Sequence, residues 1–168
     1  DFFKRLDNLS DVALRSFEVK RQVLNQLLEA GLYPYTKAYI SDFNDYYGTL
    51  GIVGMNEAFL NAKWLKKDLM DTNAQAFSME VLEFLNHKLL NQSQKVNLEA
   101  TPAESVCTHF AQIDKELYPE IQSHGYYTNS THLDVASTDD VFEALHIQQD
   151  FQNQYSGATS FPVFIDHG

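Results

Sequence analysis

Two short apolar segments each lead directly into the start of a helix, and this pattern constrains the fold more than any other feature of the chain. Residues 48–54 have glycine at both ends and predict a short buried strand, followed by a helix from Asn56 to about Lys67. Residues 96–100 alternate in polarity and predict a second strand, followed by a helix to about Leu117. Strands that alternate with covering helices indicate an α/β fold whose strands are mostly parallel.

The rest of the chain predicts three more helices and a final strand. Apolar residues recur at helical spacing, with Ser10 as the N-cap of the first helix and Gly157 at the end of the last. Residues 126–133 are aromatic and polar without a helical period, and we interpret them as a strand or an ordered loop. These further helices and the strand are expected over 10–30, 73–90, 137–157 and 159–166.

Length and charge limit the class of protein. The chain has 168 residues, 44% of them hydrophobic, and neither terminus looks finished, so residues 1–168 are expected to form a single fragment of a larger domain. Lys and Arg total 12 and Asp and Glu total 23, which gives a net charge of −11. An acidic surface argues against binding to nucleic acid or to an anionic membrane, because both require a cationic face. A small anionic ligand held by local donors remains compatible with this charge.

Several familiar motifs are absent from the sequence. It contains no P-loop, and Gly48, Gly51 and Gly54 are spaced three apart, unlike the G-x-G-x-x-G of a dinucleotide site. Cys107 is the single cysteine, which excludes an internal disulfide and a four-cysteine zinc site. A lone helical cysteine is usually a buried, small hydrophobic residue. We therefore expect neither a catalytic residue nor a metal ion within this chain.

The start of the second predicted strand–helix unit is the first candidate site. The N–H groups of Ala103, Glu104 and Ser105 precede the helical hydrogen-bond ladder and can hold a phosphate, with hydroxyls from Thr101 and Ser105. The alternative is a capping box, with Thr101 as N-cap, Pro102 at N1 and Glu104 at N3. A Glu104 carboxylate beside a phosphate would repel it. If phosphate binds here, Glu104 must point toward a sugar hydroxyl or a neighbouring element.

Two further segments carry polar side chains that can line a site. Asn56 and Glu57 stand at the first strand–helix turn, where the alternative is that Asn56 caps the helix and Glu57 interacts with its dipole. The two turns are expected to point free amides into one shared cavity. Residues 129–132 supply a dense set of donors and acceptors that can line a polar pocket, although a turn that satisfies its own side chains is the favoured interpretation.

Together these segments resemble the anaerobic (class III) ribonucleoside-triphosphate reductases, which are glycyl-radical enzymes. Each motif is weak alone, but their order and spacing are specific and extend over nearly the whole chain. Residues 155–159 depart slightly from the family pattern. The family more often has two glycines before the threonine, whereas this chain has one glycine followed by Ala158. The segments that carry the resemblance are Leu32-Tyr-Pro-Tyr-Thr-Lys37, Gly48-Thr-Leu-Gly-Ile-Val-Gly-Met-Asn-Glu57, Glu99-Ala-Thr-Pro-Ala-Glu-Ser105, Tyr126-Tyr-Thr-Asn-Ser-Thr-His-Leu133, Phe142-Glu-Ala-Leu145 and Tyr155-Ser-Gly-Ala-Thr159.

The resemblance implies part of a ten-stranded α/β barrel, in a cytoplasmic enzyme that reduces ribonucleoside triphosphates to deoxyribonucleotides for DNA synthesis. It implies a substrate-binding role for residues 101–105 first and for Asn56 and Glu57 second. The family's thiyl cysteine lies upstream of the matched region, and its radical glycine and zinc-binding cysteines lie downstream. Cys107 matches none of these positions, so the segment is expected to be inactive alone.

The resemblance also implies partners. A radical-SAM activase with a [4Fe-4S] cluster generates the glycyl radical, and the full-length protein is expected to bind zinc and nucleotide effectors and to form a homodimer with the remainder of the catalytic chain. No membrane or direct nucleic-acid contact is expected. Two alternatives stay open: a non-catalytic module that binds nucleotide phosphates, and another glycyl-radical enzyme that acts on a small carboxylate or a diol.

Overall fold

Six helices and two strands make up the part of the chain that the structure, a computed structural model, describes: residues 1–100 and 102–163. The fold is α/β, as the alternation of strands and helices predicts. None of the helices in these ranges is long and apolar enough to cross a bilayer. In chain order the elements are α1 (Phe2–Glu29), α2 (Pro34–Lys37), β1 (Gly48–Gly51), α3 (Met55–Asn61), α4 (Thr72–Leu90), β2 (Val96–Glu99), α5 (Glu104–Leu117) and α6 (Val141–Gln152).

The two strands pair in parallel, which confirms the expected strand direction. Their register runs from Gly48 opposite Val96 to Gly51 opposite Glu99. Parallel strands end at the same edge of a sheet, so α3 and α5 both begin on that side of the molecule. The chain contributes fewer strands than expected. Residues 126–133 form only an isolated antiparallel bridge to β1's continuation, residues 159–163 are not a strand, and residues 164–166 lie outside the described ranges.

An extended segment covers the outer edge of β2. The N–H of Gly157 donates to the carbonyl of Leu98 at 2.8 Å, and the N–H of Ala100 donates to the carbonyl of Ala158 at 3.0 Å. A Cβ atom on Gly157 would lie 2.2 Å from Cγ of Glu99, so this close approach requires glycine. The predicted last helix therefore ends earlier, at Gln152, and its chain crosses directly to the sheet.

The core lies between α4 and the sheet. Helix α4 buries the apolar face that its periodicity predicts, and Asp71 caps it by accepting a hydrogen bond from the N–H of Asn73 at 2.9 Å. Each fully buried apolar side chain of this size contributes roughly 1.5–3 kcal/mol. The most completely buried members of this core include Phe59, Leu69, Val81, Leu82, Leu85, Leu98 and Phe151.

Helix α1 begins eight residues before the predicted N-cap. Ser10 does not cap a helix; it is buried within one and its hydroxyl donates to the carbonyl of Leu6 at 2.7 Å. The extra turns are stabilised by tertiary contacts. Phe2 and Phe3 pack against Phe77 of α4 at ring distances of 5.3 and 5.5 Å, and Lys88 forms ion pairs with two aspartates of α1.

Helix α3 is shorter than predicted and ends at Asn61 rather than near Lys67. Ala62 has an extended conformation with ψ of 120°, which ends the helix. The Asn61 side chain donates to the carbonyl of Gln122 at 2.9 Å and accepts from its N–H at 2.8 Å. This tertiary contact competes with helical continuation, and the local pattern does not reveal it.

The capping box predicted at the start of α5 is wrong. Glu104 is the first residue of the helix rather than the third, and Ala103 occupies the N-cap position with φ of −144°. Pro102 precedes the helix, and Thr101 lies outside the residues that the structure describes. The helix starts later because the N–H of Ala103 donates to a side chain elsewhere in the chain.

Candidate functional site

The segment from Thr128 to Ser130 lies against the turn between β1 and α3. The N–H groups of Gly54 and Met55 donate to the carbonyls of Thr128 and Ser130, at 2.8 and 3.3 Å. In return, the N–H of Ser130 donates to the carbonyl of Ile52 at 2.9 Å. The N–H groups of the N-cap residue and of the first residue of α3 are therefore bonded to protein.

Glu57 is a buried carboxylate that binds this segment. Its side chain is 5% exposed. One carboxylate oxygen accepts from the Asn56 side chain at 3.0 Å, and the other accepts from the N–H and the hydroxyl of Thr128 at 2.9 and 3.0 Å. Within the described ranges no lysine or arginine pairs with it. Three neutral donors thus offset the cost of burying the charge, which ties Thr128 firmly to α3.

Asn56 is also used inside the protein. Its side-chain oxygen accepts a hydrogen bond from the N–H of Leu69 at 2.9 Å, which holds the loop after α3 against the start of that helix. It does not cap α3, because Gly54 holds the N-cap position at φ of 75°. The role of Asn56 and Glu57 in substrate binding stays a prediction. The expectation that α3 points free amides into a shared cavity is wrong, because residues 128–130 cover its start.

The start of α5 is held by a single side chain, that of Asn129. Its oxygen accepts from the N–H of Ala103 at 2.8 Å and from the thiol of Cys107 at 3.1 Å. Its amide nitrogen donates to the carboxylate of Glu104 at 3.3 Å. The N–H groups of Glu104 and Ser105 and the Ser105 hydroxyl donate to no acceptor in ranges 1–100 and 102–163. Both residues are exposed, so these donors face solvent.

The two turns border different cavities. Glu104, Cys107 and Asn129 line a cavity of about 350 Å³, together with aromatic and polar residues of 126–135. Gly54 lines a mainly apolar cavity of about 260 Å³ between α1, β1 and α3. The first cavity lies beside the unpaired N–H groups at the start of α5.

Burial governs ionisation in the cavity next to α5. Burial raises the pKa of the Cys107 thiol, and the carboxylates of Glu104 and Glu57 raise it further. Cys107 is 2% exposed, as expected for a small buried hydrophobic residue, and a buried thiol with a raised pKa is a poor nucleophile. Burial lowers the pKa of His132, whose Nε2–H donates to the carbonyl of Ser160 at 2.9 Å. Burial, followed by a hydrogen bond to Asp114 at 2.7 Å, raises the pKa of Tyr127.

Sequence reasoning undervalued Asn129 and Thr128. The interpretation favoured for residues 129–132 was a turn that satisfies its own side chains, whereas Asn129 bonds to α5 and Thr128 to α3. The available signal was the density of amide and hydroxyl groups directly after two tyrosines. Sequence alone does not indicate which distant elements such groups meet.

The comparisons with known proteins agree on one family. The model of the family described as anaerobic ribonucleoside-triphosphate reductase matches residues 1–168. The anaerobic ribonucleoside-triphosphate reductase of Haemophilus influenzae is 26% identical over 117 residues, covering 65% of this chain and 16% of that protein. Its Salmonella typhimurium counterpart is 30% identical over 95 residues, covering 52% of this chain and 13% of that protein. The chain thus spans about one sixth or less of these curated relatives.

A solved structure shows the same fold. The crystal structure of the anaerobic ribonucleotide reductase from Thermotoga maritima with MES in the active site matches with a TM-score of 0.77 at 20% identity. The match covers 93% of this chain and 27% of that one, so the α/β arrangement described above is that of a segment of a larger barrel. With the family model matched from end to end, the chain belongs to the anaerobic ribonucleoside-triphosphate reductase family.

Proposed function

We propose that this chain is one part of the catalytic subunit of an anaerobic ribonucleoside-triphosphate reductase, and that the start of α5 binds the triphosphate of the substrate. The observation that carries the proposal is the pair of free N–H groups on Glu104 and Ser105, at the carboxyl edge of parallel strands. Unpaired amides at a helix start attract anions, since they add hydrogen bonds to the favourable end of the helix dipole.

Each residue of the site has a distinct part in the proposal. The N–H groups of Glu104 and Ser105 donate to phosphate oxygens, and the Ser105 hydroxyl adds a third donor. The small side chain of Ala103 leaves room for the phosphate to approach, and the hydroxyl of Thr101 is proposed as a further donor to it. Asn56 and Glu57 contribute indirectly, because they hold in place the turn that neighbours the substrate region.

The radical chemistry belongs to groups that this segment does not supply. Within residues 1–100 and 102–163, no three or more His, Cys, Asp or Glu side chains are grouped to hold a metal ion. From the family resemblance we assign the glycyl radical, the zinc site and the nucleotide effector sites to other parts of the catalytic chain, and the [4Fe-4S] cluster to a separate radical-SAM activase. The proposal places the full-length protein in the cytoplasm as a homodimer.

Ala103→Asp in the full-length protein tests the phosphate site. An aspartate at the N-cap position suits a helix, so α5 is expected to fold, but its carboxylate occupies the first-turn amides and repels phosphate. We expect the KM for ribonucleoside triphosphate to rise by roughly tenfold or more, equivalent to about 1.4 kcal/mol. Ala103→Asn is the matched control, which caps without charge and is expected to raise KM less. An unchanged KM in Ala103→Asp, with α5 folded, overturns the proposal.

A further inference from the structure

The Asn129 side chain contacts three different groups at the start of α5. Its oxygen receives hydrogen bonds from the N–H of Ala103 at 2.8 Å and the thiol of Cys107 at 3.1 Å. Its amide nitrogen donates to the Glu104 carboxylate at 3.3 Å. The orientation of the amide follows from these partners, because reversing it would put an NH₂ group against two donors and an oxygen against a carboxylate.

The backbone on both sides of Asn129 is anchored. Thr128 is buried and held by two hydrogen bonds to Glu57. Ser130 is fully buried, and its N–H and carbonyl both pair with the turn between β1 and α3. Asn129 therefore extends from a fixed support toward α5, and its side chain binds the Glu104 carboxylate.

The position of Glu104 matters because its carboxylate competes with an anionic ligand. A carboxylate in the first turn of a helix is attracted to the free N–H groups of that turn. If the Glu104 side chain folded back onto them, it would occupy the donors and repel phosphate. In the described residues the Glu104 carboxylate accepts a hydrogen bond from Asn129 and none from the amides of Glu104 and Ser105, which stay open.

We propose that Asn129 is a positioning residue that holds the Glu104 carboxylate away from the first-turn amides of α5, and so keeps that turn free for an anionic substrate. This inference rests on the proposed function of the turn. It explains how a helix that begins with glutamate accommodates a triphosphate, and it predicts that Asn129 acts through Glu104 rather than by touching the substrate.

The test is a pair of variants in the full-length protein, assayed with a ribonucleoside triphosphate. Asn129→Asp keeps an acceptor for Ala103 but replaces the donor that faces Glu104 by a second negative charge. We expect a rise in KM of roughly tenfold, with a smaller change in kcat. Asn129→Ala removes the same donor without adding a charge of its own, so it is expected to raise KM as well, and in Asn129→Ala combined with Glu104→Gln the KM is expected to return close to that of Glu104→Gln alone. Asn8→Asp, an exposed change on α1, is the matched control and is expected to leave KM unchanged.

The rescue separates positioning from a purely structural role, because removing the Glu104 charge does not repair a damaged fold. If Asn129→Asp fails to fold, Asn129→Ala and its combination with Glu104→Gln still test the inference, because neither adds a charge. A KM in the double variant as high as in Asn129→Ala alone overturns the inference. A normal KM in Asn129→Asp, alongside a raised KM in Ala103→Asp, overturns it while leaving the phosphate site intact. An unchanged KM in Ala103→Asp removes the phosphate site itself.

Discussion

The carboxylate of Glu57 accepts two hydrogen bonds from Thr128, one from the backbone N–H at 2.9 Å and one from the hydroxyl at 3.0 Å. The two residues lie 71 positions apart in sequence. This contact joins the first strand–helix turn to the segment that bears Asn129, so the two ends of the site are mechanically connected through buried groups.

Glu57→Gln is expected to loosen residues 126–133. A glutamine at this position has one oxygen fewer, so either orientation puts its NH₂ group against a donor, from Thr128 or from Asn56. An unsatisfied buried donor costs about 1–3 kcal/mol. We expect amide hydrogen exchange in a peptide covering 126–133 to speed up roughly tenfold or more, measured by mass spectrometry on the full-length protein.

The control is Glu83→Gln, the same change on the exposed face of α4. It is expected to leave exchange in that peptide unchanged. Equal exchange in Glu57→Gln and the wild type would show that the carboxylate does not anchor Thr128.

Gly54→Ala is expected to destabilise the start of α3. Gly54 has φ of 75°, and a Cβ atom there would lie 3.3 Å from the Tyr127 ring. The left-handed conformation alone costs a non-glycine residue roughly 1–2 kcal/mol. We expect a lower thermal midpoint than in Gly51→Ala, where an added Cβ meets no atom within 4 Å. Equal midpoints for the two variants would contradict this account of the turn.

His132 is expected to make the fold sensitive to acid. Burial lowers its pKa below the ordinary value of 6.5, so below that pH the unfolded chain binds more protons than the folded one. Stability is therefore present above about pH 6.5 and is lost as the pH falls through the folded pKa. His132→Gln keeps a donor for the carbonyl of Ser160 but does not titrate. The drop in thermal midpoint between about pH 7.5 and about pH 5.5 is expected to be smaller in this variant than in the wild type.

An equal drop in both proteins would assign the acid sensitivity to groups other than His132. His109→Gln makes the same substitution at an exposed position of α5 and is the matched control.

Local patterns predicted the elements whose formation depends on near neighbours. The apolar face of α4 and the two strands follow from periodicity, and the parallel pairing follows from the helices between them. The start of α1 could not be predicted from Ser10, because it depends on Phe2 and Phe3 meeting a ring on another helix. The capping box at Glu104 failed for the same reason, since the cap that forms comes from Asn129, 26 positions beyond Ala103.

The candidate site was predicted in part. The strand–helix pattern singles out residues 103–105, whose part in substrate binding stays a prediction, and it does not indicate that Asn129 is the partner of Glu104. The sequence does not predict that residues 128–130 cover the start of α3, because hydrogen bonds between backbone groups do not depend on the pattern of side chains. The sequence does not indicate the burial of Glu57 either, because a glutamate in the first turn of a helix ordinarily faces water.

The chain that follows α6 closes one margin of the sheet, since Gly157 and Ala158 occupy the outward-facing groups of β2 and its continuation. On the opposite margin, the residues described here place no strand beside β1. The edge of β2 is therefore closed to a further strand at Leu98 and Ala100 by the chain's own backbone, and displacing the segment at Gly157 would expose both groups.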